Sequence, residues 1–214
     1  VLLGTLAAIH RYPVKALRGE TLTAADVLAD GIAGDRTRAL VVVSGGHNRT
    51  GKTYRGKENA LLHTVDSVDR GMRTAQAAGV VTRSDDADGR YFDVHPISLV
   101  FDTWLAALDA FTGGQAEALR FRPNLVATAA PGFAKREADL VGARLRVGDV
   151  ELTVAKPIIR CVTPSYDLQT GEADRTLAKA LAVDLGNTMG IYCTVVQPGR
   201  IATSDAIALV DAGG

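Results

Sequence analysis

The chain of 214 residues has only two cysteines, and the first, Cys161, directly follows Arg160. A neighbouring guanidinium favours the thiolate, the form in which cysteine acts as a nucleophile or metal ligand. Cys193 lies instead in the apolar run GIYCTVV and reads as a buried structural thiol. Further cations recur beside bends at strand ends: Lys15 after Tyr12-Pro13, Arg36 closing the run GDR, and Arg122 with Asn124 flanking Pro123. Taken singly, each is a surface charge or the partner of a carboxylate. Taken together with a thiol, they read as a dispersed anion site with one soft ligand.

One stretch competes for a phosphate role. GHNRTGKT, residues 46 to 53, matches the phosphate-loop pattern letter by letter. Its context does not fit, because the following YRGKENA puts Gly56 where the first helical turn should be, and strand and helix do not alternate elsewhere. It reads as a loop over a site. His10, His47, His63 and His95 show no metal-ligand spacing; His63 reads as helix surface or satisfied core, and His95 as a candidate pocket residue. No Cys-x-x-Cys pair is present, so neither a disulfide framework nor a zinc site is indicated. A nicotinamide fingerprint and an iron–sulfur cysteine set are likewise absent from the sequence.

Composition sets the background. Lys and Arg total 24, as do Asp and Glu, so no long-range positive field is expected to recruit nucleic acid or anionic lipid. Any basic cluster must act locally. No apolar run approaches the roughly 18 residues of a membrane span, and the N-terminus lacks signal-peptide order. The expectation is a cytoplasmic protein.

The elements that must position these residues are mostly short strands. TLAAIHRYPV, TLTAADVLAD, TRALVVV, RYFDV, NLVATA, IYCTVVQ and AIALV are of strand length and bounded by Gly, Asp or Pro. RLRVGDVELTV predicts a hairpin over Gly148-Asp149 that pairs Val147 with Val150 and Leu145 with Leu152. Leu61, Val65, Val68, Met72 and Ala75 predict an amphipathic helix stopped at Gly79. A second helix is predicted after Pro96, carrying Ile97, Phe101, Trp104, Leu105 and Leu108, and a third over Ala173 to Val183. Residues 44 to 60 and 82 to 90 read as exposed loops. The fold class expected is mainly β with a few helices (α+β): a barrel core over about 90–214 packed with an N-terminal β-rich lobe, 1–89, and the site between them.

RYPVKALRGE, DGIAGDR, RFRPNLV, VGARLRVGDVELTVAKPIIRC and DLQTGE occur in the order and approximate spacing of the MOSC family, named for the C-terminal part of molybdenum cofactor sulfurase. The chain most resembles the branch with an N-terminal β-rich lobe that includes the amidoxime-reducing component and its bacterial relatives. The resemblance implies a molybdenum cofactor (Mo-molybdopterin) whose phosphate lies near Lys15 and Arg36. It also implies cofactor contacts from Arg122, Asn124 and Ser98, the last at a helix start, with Arg160 beside them and Cys161 as molybdenum ligand and catalytic group. A phosphate suits paired cations and a soft thiolate suits molybdenum. The implied function is an oxidoreductase that reduces N-hydroxylated small molecules with electrons from a separate protein. The alternative is a sulfur carrier bearing a persulfide on Cys161, supplied by a cysteine desulfurase. Ala16 stands where relatives commonly have Ser, while Pro164 and Leu168 depart from the usual run after the cysteine.

Overall fold

The computed structural model describes residues 1–44, 50–76, 80–84, 90–114 and 116–210. In chain order the strands are β1 (Leu2–Arg11), β2 (Glu20–Leu22), β3 (Ala24–Leu28), β4 (Gly31–Ile32), β5 (Ala39–Ser44) and β6 (Val80–Ser84). They continue as β7 (Ile97–Phe101), β8 (Leu125–Ala129), β9 (Arg144–Val147), β10 (Val150–Ile159), β11 (Thr188–Gln197), β12 (Gly199–Ala202) and β13 (Ala206–Leu209). The α-helices are α1 (Val68–Gln76), α2 (Asp102–Thr112) and α3 (Arg175–Val183).

A mainly β fold results. One sheet runs β13, β9, β10, β11, β7, β8, β1, and β1 pairs with β13 again, so seven strands close a barrel and β2 is added on β1. Closure leaves no free edge among those seven. The predicted hairpin forms with Val147 opposite Val150 and Leu145 opposite Leu152, all four buried. The closing strand β1 lies in the stretch read from sequence as the N-terminal lobe, and its pairing with β8 and β13 carries it into the barrel.

Four expectations change. Residues 82–84, read as loop, belong to β6, which pairs with β5. Ile97–Phe101 is a strand, not the start of the second helix, and Ser98 therefore sits in β7. All five of its residues are buried, because β7 lies between β11 and β8 and α2 packs beside it, so a run apolar on both faces mimics a helical stripe. The first predicted helix divides into a 3-10 turn, Ala60–Thr64, and α1. Val65 between them is extended, and its carbonyl accepts from the Arg18 amide, which the continuous helix would forbid. RYFDV is not a strand: Arg90 reaches Asp30 and the carbonyls of Ile32 and Asp35, and the Tyr91 amide donates to Arg36 O, holding the stretch irregular. The predicted stop at Gly79 and residues 46–49 of GHNRTGKT lie outside the described residues.

Two cores form. The barrel interior holds residues such as Leu6, Ile9, Phe101, Leu125, Val147 and Ile191. A smaller core holds Val14, Leu17, Leu40, Tyr54, Leu62 and Val81. Within it Gly71 of α1 packs on Leu17, where a Cβ would come within 2.8 Å of a Leu17 methyl. Among the described residues no helix is long and apolar enough to cross a membrane.

Candidate functional site

Tyr12 organises the site. As β1 ends, its amide donates to Asp35 Oδ1 at 2.7 Å and its hydroxyl to the Pro123 carbonyl at 3.1 Å. Its buried ring meets two guanidiniums, Arg122 at 4.2 Å and Arg36 at 4.8 Å from the centroid. Each is a cation–π contact on a ring shielded from water. Burial pushes the phenol up to about 12, so it stays neutral between two cations.

Arg36 also donates to Asp35 Oδ2 at 2.5 Å, to Asn124 Oδ1 at 3.3 Å and to the Arg122 carbonyl at 3.2 Å. Asn124 is buried, and its Oδ1 additionally accepts from the Ser98 amide and hydroxyl at 3.2 and 3.0 Å. Its Nδ2 donates to His10 O. Asn124 thus ties β1, β7 and Arg36 together from behind, without lining the cavity, whereas Ser98 does line it.

That cavity, of about 340 Å³, brings Lys15, Arg36, Arg122, Arg160 and Cys161 to one surface from segments far apart in the chain. The cations differ in how they are compensated. Lys15 pairs with Asp93 at 2.6 Å and Arg36 with Asp35. Arg160 is held by two main-chain carbonyls, Met189 O and Phe121 O, each at 2.8 Å, and Arg122 lies against Tyr12. The Nη2 atoms of Arg122 and Arg160 are buried with no hydrogen-bond partner among the described residues. Burial pushes both guanidiniums down to about 10, still charged at neutral pH. A buried N–H without an acceptor is costly, and Arg120 Nε is a third such group on a residue lining this cavity.

The sequence reading missed several members. Arg120 is buried against Asp174 and Asp167 at 3.3 and 3.4 Å. It fastens the segment that follows Cys161 to the 3-10 turn before Arg122. Tyr12 and Asp35 were visible inside RYPVK and GDR but carried no signal of their own. His63 is buried and lines the cavity, so a helix-surface position is corrected; nor is it a satisfied core residue, because neither ring nitrogen has a partner among the described residues. Burial first, and the Arg122 charge second, hold its pKa down at about 3. His95 packs tilted against Tyr192, ring centroids 5.7 Å apart, and does not line the cavity.

Backbone strain collects here too. Of the non-glycine residues with positive φ, Ala16, Arg36 and Arg122 (φ 70°, 48° and 51°) all line this cavity. Each costs about 1–2 kcal/mol in that region. Such outliers gather where function over-determines the backbone.

Cys161 is exposed, and its thiol donates to Thr163 Oγ1 at 3.2 Å. Pro164 is the second residue of the 3-10 turn Thr163–Ser165 that follows, within the first turn, where a missing N–H is tolerated. Cys193 is fully buried in β11, and burial pushes its thiol up to about 12. The two cysteines thus divide as their sequence contexts imply.

A family model described as the MOSC domain matches residues 88–208, and one described as the MOSC N-terminal beta barrel domain matches residues 3–86. The chain belongs to the MOSC family. MOSC proteins are linked to molybdenum-cofactor-associated systems and are often enzymes in them. Among solved structures, the MOSC chain is similar to the YUAD protein from Bacillus subtilis at 16% identity and TM-score 0.58, covering 96% of this chain and 94% of that one. It is also similar to a hypothetical protein at 12% identity and TM-score 0.53, covering 98% and 70%. YiiM from Escherichia coli aligns at 15% identity and TM-score 0.48, covering 95% and 71%. The first two likenesses show a shared fold. No curated protein matches.

Proposed function

We propose that this MOSC protein is a molybdenum-cofactor-binding oxidoreductase acting on N-hydroxylated small molecules. The observation that carries the reading is an exposed thiol on a cavity whose wall includes two buried arginines, Arg122 and Arg160, each with an Nη2 group that has no hydrogen-bond partner among the described residues. The donor set fits: a phosphate satisfies orphaned N–H groups, and a single accessible thiolate is a soft ligand for a metal whose other bonds come from its own cofactor.

Arg122 and Arg160 take the pterin phosphate, with Lys15 and Arg36 adding positive potential beside them. Tyr12 holds Arg36 and Arg122 in register through its ring. The Ser98 hydroxyl is a further cavity-side polar group, while Asn124 holds Ser98 and Arg36 in position rather than touching the ligand. Cys161 binds the metal. When bound, the cofactor supplies removal of oxygen from the substrate as water, with two electrons from a separate electron-transfer protein and two protons. Substrate-side orientation is the task of the remaining cavity wall.

The experiment is metal and pterin analysis of protein purified from a molybdenum-replete host. Molybdenum and pterin are expected in proportion to protein, and Cys161→Ala should lose the metal while its circular dichroism stays native. Exposure of Cys161 also favours the second reading, a persulfide carrier. Protein free of metal and pterin that carries sulfane sulfur on Cys161 would select it.

A further inference from the structure

The basic loop that trails the phosphate-loop-like stretch has no part in the reading above. Tyr54 anchors it, buried in the small core with its amide donating to Leu40 O at 2.8 Å. The next three residues, Arg55, Gly56 and Lys57, then reach the cavity that Cys161 enters from the barrel. Gly56 lies directly on His63: a Cβ there would stand 1.9 Å from Nε2. Only a residue without a side chain allows that approach. His63 in turn is buried on this wall with both ring nitrogens unpartnered among the described residues.

Charge compensation separates the cavity's cations into two groups. Lys15, Arg36, Arg55 and Arg120 each have a carboxylate, Arg55 through two donations to Glu58 Oε1 at 3.0 and 2.6 Å. Arg122, Arg160 and Lys57 have none among the described residues. Among the described residues the one carboxylate on the cavity wall, Asp93, is taken by Lys15. A phosphate monoester carries about −1.5 to −2 at neutral pH and so matches Arg122 and Arg160. Lys57 is left over.

We infer that Lys57, with His63 and Gly56 behind it, forms a subsite for a singly charged anionic group on the substrate, so that the cavity selects carboxylate-bearing N-hydroxy compounds over neutral ones. The inference rests on the proposed reading for the phosphate that occupies Arg122 and Arg160. A carboxylate beside an ammonium in a partly enclosed cavity makes a charge-assisted hydrogen bond that neutral analogues lack.

The test titrates protein purified from a molybdenum-replete host with N-hydroxybenzamide and with 4-carboxy-N-hydroxybenzamide, reading affinity by calorimetry. The carboxylate is expected to bind at least about ten-fold tighter, as one charged hydrogen bond predicts. Lys57→Gln should abolish that gap and leave the neutral compound's affinity unchanged, while Lys179→Gln, at an exposed position on α3, should leave the gap intact. Equal affinities for the two compounds, a gap that survives Lys57→Gln, or release of a nucleotide from the extracted pterin would overturn the subsite; the last would assign Lys57 to a second cofactor phosphate. Metal and pterin are measured on the same preparations. Cofactor-free protein that keeps a Lys57-dependent gap would uphold the subsite and overturn the molybdenum reading, and loaded protein without the gap would do the reverse.

Discussion

His63 illustrates how one buried side chain sets a pH limit. Its pKa falls from an ordinary 6.5 to about 3, mainly through burial and then through the Arg122 charge. Between those values the unfolded chain binds a proton that the folded chain does not, so stability is full above 6.5 and lost as pH falls. The slope is at most about 1.4 kcal/mol per pH unit. Thermal melts between pH 7 and 4 should show Tm falling, and His63→Gln should flatten the fall. His10, also lowered by burial, adds in the same direction and remains in the variant. Gly56 makes a second residue-scale prediction. Gly56→Ala places a methyl 1.9 Å from His63 Nε2, so denaturant melts should show a loss of about 1–3 kcal/mol. Adding His63→Ala should recover part of it, since contacting residues couple in a double-mutant cycle.

At the scale of elements, the segment after Cys161 depends on Arg120. Thr163–Ser165 makes a 3-10 turn, the Asp167 side chain caps the Gln169 and Thr170 amides at 2.8 Å, and Asp174 caps α3 through the Thr176 and Leu177 amides. Arg120 joins the last two devices, standing between Asp167 and Asp174. Asp167 is partly exposed, so solvent screens that half of the pair and the loss on Arg120→Met should be about 1–3 kcal/mol rather than the full value for a buried pair. Hydrogen exchange should quicken across residues 163–174 while the β9–β10 hairpin keeps its protection. Uniform loss of protection would assign Arg120 to global stability alone.

For the whole molecule, the barrel closes only because β1 lies between β8 and β13. A fragment beginning at residue 90 keeps six of the seven barrel strands and exposes the edges of β8 and β13 together with the apolar faces that Leu3, Leu6 and Ile9 cover. Exposed edges with an open core aggregate. Expressed alone, this fragment should elute as aggregate or lack near-ultraviolet dichroism; a monomeric fragment with native dichroism would show that closure by β1 is dispensable. The same connectivity explains why a chain with equal numbers of acidic and basic residues has a basic cavity. Lys15 and Arg36 come from near β1 and β4, Arg122 precedes β8 and Arg160 follows β10. Local concentration of charge arises from folding, not from composition.

Sequence alone determined the alternation that makes the β9–β10 hairpin, the contrast between Cys161 and Cys193, and the basic residues beside prolines and bends, because these depend on local periodicity and immediate neighbours. It also carried the motifs RYPVK, GDR, RPN and IIRC in family order. It misassigned Ile97–Phe101, since a strand buried on both faces has no alternation to separate it from a helix. Only the tertiary structure decided that Arg122 and Arg160 keep N–H groups unpartnered among the described residues while Lys15 and Arg36 hold carboxylates. Only it placed Asn124 behind the wall and His63 in it. Pairing and burial between segments a hundred residues apart are set by how the barrel closes, and no local pattern encodes which cation meets which carboxylate.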